Sequence, residues 1–86
     1  GAARFYYKGS RFKQLRAFLY AAKLGTLSRA AEALFLSQPS VSLQIQALER
    51  EFGVRLLERS GRRVQLTREG QELFDLARPL IEGFES

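Results

Sequence analysis

The chain has 86 residues, no Cys and no His, and carries 14 Lys and Arg against 9 Asp and Glu, for a net charge of +5 and a pI near 10.2. Lacking Cys it has no disulfide framework or thiolate metal site, and lacking His it has neither the commonest general base nor the commonest metal ligand, so no catalytic residue, metal or cofactor is assigned. No apolar run nears the roughly 20 residues that span a bilayer, and the positive excess directs attention to an anionic partner, nucleic acid first.

Residues Gly1 to Ser10, GAARFYYKGS, show no clear period and end in Gly-Ser. Residues 1–11 are therefore set apart as a leader or flexible arm. Arg11 to Leu24 reads as the first helix, with Phe12, Leu15, Phe18, Leu19 and Ala22 as its apolar stripe and Lys13, Arg16 and Lys23 outside it. Gly25 stands where a helix C-cap belongs. Ser28 reads as the N-cap of a short second helix, Arg29 to Leu36, whose Ala30, Ala31 and Leu34 face inward. Small alanines there let another helix approach closely, as a tight helix–turn–helix requires. The turn falls near Leu36–Ser37–Gln38 and contains no Gly; either Ser37 or Gln38 is the next cap, and Pro39 suits the first turn that follows.

The stretch from Ser37 to Phe52, SQPSVSLQIQALEREF, places Val41, Ile45, Leu48 and Phe52 on one helical face. Pro39, Ser42, Leu43, Gln46 and Arg50 project from the other, and no charge occurs between Ser37 and Leu48. Such an outer face suits a major groove, where Ser and Gln exchange hydrogen bonds with base edges. Gly53 closes this helix. Leu56 to Leu66 then reads as a β-hairpin turning at Ser60–Gly61, its tip carrying Arg62 and Arg63 with Arg59 at the base. Beside a helix–turn–helix, a basic tip is read as a wing on phosphate or in the minor groove. Thr67 caps the last helix, whose stripe of Leu73, Leu76, Ala77, Leu80, Ile81 and Phe84 is interrupted by Pro79, a position of expected kinking. So broad a stripe either folds back over a small domain or pairs with a second copy, and pairing is favoured. The stripe is still running near Ser86, so the chain is expected to be part of a longer protein.

Taken together, LSRAAEALFLSQPSVSLQIQALEREFGVRLLERSGRRVQLTREGQEL resembles the N-terminal DNA-binding domain of LysR-type transcriptional regulators. The AAEAL helix, the SQPSVS junction, QIQALE, FGVRLLER and the LTREG helix start occur in the family's order and spacing, and the likeness runs from about Phe12 to Phe84. It implies a mainly α fold: a winged helix–turn–helix over residues 12–66, with three helices and a short β-hairpin wing, and a long linker and dimerisation helix over 67–86. It also implies double-stranded promoter DNA as partner, read as an inverted repeat by a homodimer whose linker helices pair antiparallel. Tetramers and a small-molecule effector would come through a C-terminal domain that this chain does not include. A bacterial, cytoplasmic setting follows by the same likeness.

The family's DNA-contacting positions map onto Ser28, Gln38, Pro39, Ser40, Ser42, Leu43 and the wing residue Arg62. Gln38 and Gln46 are the candidates for amide-to-base bonds, Ser28 and Ser42 suit phosphate, and Arg63 and Lys13 belong to a basic rim. Many members carry Arg or Lys where this chain has Leu43; its isobutyl group either packs on a thymine methyl or is merely tolerated. Two rivals stand beside this reading. One is a protein-interaction module recruiting a partner through the terminal helix; the other is a small Ser hydrolase, for which there is neither His nor a Gly-rich nucleophile turn.

Overall fold

A computed structural model describes the backbone of residues 2–85 and the side chains of residues 11–85. In chain order the elements are α1 (Ala2–Leu24), α2 (Leu27–Leu34), α3 (Gln38–Phe52), β1 (Leu57–Ser60), β2 (Arg63–Leu66) and α4 (Arg68–Glu85). The mainly α expectation with one hairpin holds. The first boundary moves: α1 begins at Ala2 rather than Arg11, so the backbone of residues 2–10, set apart above as a leader or arm, continues the first helix. Ala, Arg and Lys in that stretch are good helix formers, and Gly9 alone opposes them.

The core gathers around α1, against which α2, α3 and α4 all pack. Phe18, Leu19, Val41, Leu48 and Leu56 are almost fully buried within it. Ala17 and Ala21 are buried as well, so the inward face of α1 is wider than its stripe of large residues, and Phe12, Leu15 and Ala22 pack at the edge. Gln14 is also buried on α1, a polar insertion that the apolar spacing gave no reason to expect.

Local chemistry sets each helix boundary. Gly25 has φ +86 and its amide reaches the Ala21 carbonyl at 2.9 Å, closing α1 as expected. The cap of α2 is Thr26, not Ser28: its Oγ1 accepts the Arg29 amide at 3.1 Å, so the helix starts at Leu27, which is thereby buried. Phe35 ends α2 in the left-handed region (φ 57, ψ 41), and the Leu36 amide donates back to the Ala31 carbonyl. Ser37 caps α3 through the Ser40 amide at 3.2 Å, and Pro39 lies in the first turn, where its missing donor costs nothing. Phe52 departs from expectation. It is about half exposed, because α3 ends there at the left-handed Gly53, beyond the reach of the α1 core.

The antiparallel hairpin pairs Leu57 with Leu66, Glu58 with Gln65, Arg59 with Val64 and Ser60 with Arg63. It is anchored at both ends. Glu49 of α3 accepts the Leu56 and Leu57 amides on Oε2 at 2.8 and 3.2 Å, while β2 joins the α1–α2 connection through a Thr26–Arg63 bridge and a Val64-to-Gly25 backbone bond of 2.9 Å. Two charge-assisted bonds to otherwise half-buried amides are worth more than neutral ones. Glu49→Ala is therefore expected to lower stability by about 2 kcal/mol, read as a shifted urea midpoint, with Glu49→Gln costing less.

Thr67 starts α4 as expected, accepting the Gly70 amide at 2.9 Å and donating to the Arg55 carbonyl at 2.6 Å. Gly70 lies directly against the Leu56 carbonyl. The α4 stripe divides into two rows about 100° apart. Ala77 and Ile81 are buried against the rest of the chain and Leu73 packs beside them, whereas Leu76, Leu80 and Phe84 are 73%, 67% and 79% exposed. Ala77 and Ile81, read above as part of the dimer stripe, are taken up by the chain's own core. Pro79 sits inside α4 on its exposed side, and the helix continues to Glu85.

Three contacts hold α4 along α1: Phe12 meets Phe84 edge-on at 5.6 Å, Lys23 bonds Glu82 at 3.1 Å, and the Tyr20 hydroxyl donates to Glu85. The Lys23 hydrogen bond is the main reason the Glu82 carboxyl titrates below its ordinary value; desolvation works against it, and Arg78 adds to the lowering. Burial, then the Glu85 bond, raises the Tyr20 phenol.

Candidate nucleic-acid interface

Of the side chains singled out for DNA contact, all but Lys13 lie on α2, α3 or the wing. Gln38, Pro39, Leu43 and Gln46 are exposed on α3, while Ser40 and Ser42 are partly covered. Leu43 is 62% exposed, an isobutyl group with no folding role. Its position on the outer face is as the spacing implied.

Ser28 holds a different post from the one expected. One residue into α2 beyond Leu27, its hydroxyl donates to Gln38 Oε1 at 3.0 Å, joining the two helices of the helix–turn–helix across its polar side. With Oε1 engaged, Gln38 offers its two N–H donors outward. A groove beside this pair is lined by Thr26, Arg29, Glu32, Arg59 and Arg62. One carboxylate stands there against three guanidinium groups.

At the wing, Arg62 lies with Gly61 in the two-residue loop, Gly61 having φ +63. Arg63 is not at the tip. It opens β2, pairs with Ser60, and its guanidinium lies so close to Gly25 that a methyl there would sit 3.1 Å from Nη2. Its charge is thus carried against the α1–α2 connection, on the opposite hairpin face from Val64. Lys13 is exposed on α1 and does not line either groove beside α3.

Sequence reasoning placed Arg59 at the base of the hairpin but gave it no role. Across the hairpin, Arg59 opposes the buried Val64, so both project from the inner face toward α3. Arg59 Nη2 donates to Ser42 Oγ at 3.3 Å. The signal was present in the alternation: Leu57, Arg59, Val64 and Leu66 share one face.

The distribution of charge partners separates this side from the rest. Arg11, Lys23, Arg55, Arg68 and Arg78 have carboxylate partners. Among the described residues, Arg29, Arg50, Arg59, Arg62 and Arg63 have none, and neither do Lys13 and Arg16 on α1. Five of these seven lie on α2, α3 or the wing, so that side of the domain carries an excess of positive charge. The described residues hold no cluster of potential metal ligands, and none of their helices is long and apolar enough to cross a membrane.

Comparison with known proteins agrees with this geometry. Residues 12–71 match the family described as bacterial regulatory helix-turn-helix protein, lysR family. The chain is 44% identical over 75 residues to the HTH-type transcriptional regulator CitR of Bacillus subtilis (strain 168), covering 87% of this chain and 26% of that protein. It is 49% identical over 71 residues to the SDS degradation transcriptional activation protein of Pseudomonas sp. (strain ATCC 19151), covering 83% and 23%. It thus spans about a quarter of the curated relatives it matches. Among solved structures it resembles the CbnR DNA-binding domain in complex with DNA, at TM-score 0.78 and 44% identity over 83% of this chain and 82% of that one. It also resembles the BenM DNA-binding domain with catB site 1 DNA, at TM-score 0.80 and 36% identity over 86% and 82%. The chain belongs to the lysR family of bacterial regulatory helix-turn-helix proteins and consists of that family's winged DNA-binding domain with the helix that follows it.

Proposed function

We propose that this chain is the promoter-reading module of a cytoplasmic transcriptional regulator and has no enzymatic role. It binds double-stranded DNA as a homodimer that reads an inverted repeat. The observation that carries the proposal is the α3–wing side, where the base-reading side chains of α3 sit among arginines without acidic partners. α3 enters the major groove, Gln38 and Gln46 address base edges, Leu43 packs on a thymine methyl, and Ser28, Ser40 and Ser42 contact the sugar–phosphate margin. Pro39 shapes the first turn of α3, where free amides and the helix dipole favour a phosphate. Arg62 grips phosphate or reaches the minor groove, with Arg63 contributing at longer range. Leu76, Leu80 and Phe84 are the face that meets a second copy, and Leu73 borders it. Any effector response and any tetramer would depend on parts of a longer protein.

The test is fluorescence anisotropy against an interrupted inverted-repeat duplex, with a scrambled duplex for comparison and salt varied in both. About six to ten neutralised phosphates across a dimer would weaken binding roughly 10³- to 10⁵-fold between about 50 and 200 mM salt. Preference for one duplex class, found if necessary by selection from a random pool, completes the expected result. Absence of salt-dependent binding at low salt would leave the terminal helix as a protein-recruiting surface and end the DNA reading.

A further inference from the structure

We infer that Arg59 is a positioning residue that, acting through Ser42, sets the side-chain amide of Gln46 for reading a base. The inference rests on the DNA reading above and adds a specificity determinant to it.

Ser42 Oγ lies at the centre of a three-membered chain. It accepts from Arg59 Nη2 at 3.3 Å and from Gln46 Nε2, one helical turn on, at 3.1 Å. A hydroxyl oxygen has two acceptor sites, and both are taken here. The Ser42 proton is left to donate elsewhere than to these two partners. Gln46 in turn gives one amide hydrogen to Ser42 and keeps Oε1 and its second hydrogen. One acceptor beside one donor is the pattern that matches N6 and N7 of adenine in the major groove.

Arg59 is what makes this arrangement specific. Without it, Ser42 loses the charged donor that anchors its oxygen, and the Gln46 amide that leans on that oxygen loses a fixed position. The amide is then held less firmly against a base edge, and its choice of base weakens. The wing therefore bears on sequence selection from its inner face, quite apart from any phosphate it holds at the tip. The hairpin register secures the geometry: Arg59 is opposite Val64, which is buried, and β2 is tied to Gly25 and Thr26.

The experiment compares base preferences selected from a random duplex pool by the wild-type chain and by Gln46→Ala, Arg59→Met and Arg59→Lys. Arg59→Met keeps an unbranched aliphatic side chain and removes the guanidinium donor. Gln46→Ala identifies the base pair that Gln46 reads. A bidentate amide contact discriminates by roughly fivefold to a hundredfold. Arg59→Met is expected to flatten preference at that same pair to a few-fold while sparing the others, and Arg59→Lys, which retains a donor of similar reach, is expected to restore most of it. Uniformly weaker binding by Arg59→Met, with a salt slope smaller by about one phosphate and preference intact, would make Arg59 a phosphate ligand only and overturn the inference. Unchanged preferences in Gln46→Ala would overturn it too. If Arg59→Met does not fold, Ser42→Ala removes the same link from the helix side and is held to the same outcomes. Failure of the wild-type chain to enrich any duplex would instead refute the DNA reading on which the inference stands.

Discussion

Gly70→Ala is expected to lower the stability of the domain by about 3 kcal/mol, the upper part of the range for forcing a group into a packed site. A chain of this length holds roughly 4–13 kcal/mol in total, so the loss would be evident as a large fall in the urea midpoint. The cause is local. The Gly70 Cα abuts the Leu56 carbonyl, and a methyl there would overlap backbone atoms that cannot rotate away. That carbonyl also accepts the Thr67 amide at 3.0 Å, and Thr67 caps α4, so displacing Leu56 disturbs the cap, the hairpin start and the Glu49 clamp together. Gly83→Ala provides the comparison, because a Cβ at Gly83 meets nothing within 4 Å. In a helix that change is expected to be neutral or to stabilise by up to about 1 kcal/mol. A Gly70→Ala cost below about 1 kcal/mol would show that the α4–wing junction yields easily.

The largest effect on binding is expected from the paired substitution Leu76→Glu and Leu80→Glu. Both side chains are exposed in the chain, so the melting temperature should hardly move, while carboxylates on both copies of an apolar face should abolish self-association in sedimentation. Joining two reading heads raises affinity for a two-half-site duplex by about 10²- to 10⁴-fold without new contacts, and that gain should vanish. Binding to a single half-site should persist. Wild-type affinity of the double variant for the two-half-site duplex would show that the copies join elsewhere. Ile81→Glu, by contrast, should destabilise the domain itself, since Ile81 is 3% exposed.

Much of this architecture was visible in residue order, because its signals are local. Val41, Ile45 and Leu48 repeat at the helical period, Gly25 and Gly53 stop helices, Thr67 caps α4, and the alternation around Ser60–Gly61 marks the hairpin. The departures have identifiable causes. Thr26 and Ser28 are both good caps, and the order of residues does not say which of them takes the bond from the α2 amides. Phe35 adopts a left-handed conformation that favours Gly or Asn, so composition did not announce that α2 ends there. A helical wheel groups Leu76 with Ala77 and Leu80 with Ile81, but which edge of the stripe the chain keeps for itself depends on where α1 lies. The Arg59–Ser42 bond spans a connection and a strand register, and Thr26–Arg63 spans most of the domain. Neither follows from neighbouring residues, and both bear on the candidate interface.

The double anchoring of the wing has a mechanical consequence. With β1 clamped by Glu49 and β2 stitched to Gly25 and Thr26, the hairpin and α3 form a caliper whose jaws are fixed before a duplex arrives. Where the spacing of groove and backbone differed from the caliper's opening, the compliant partner would be the DNA. Bending or narrowing a duplex costs energy that varies with base step, so such a frame would discriminate among sequences at base pairs that no side chain touches.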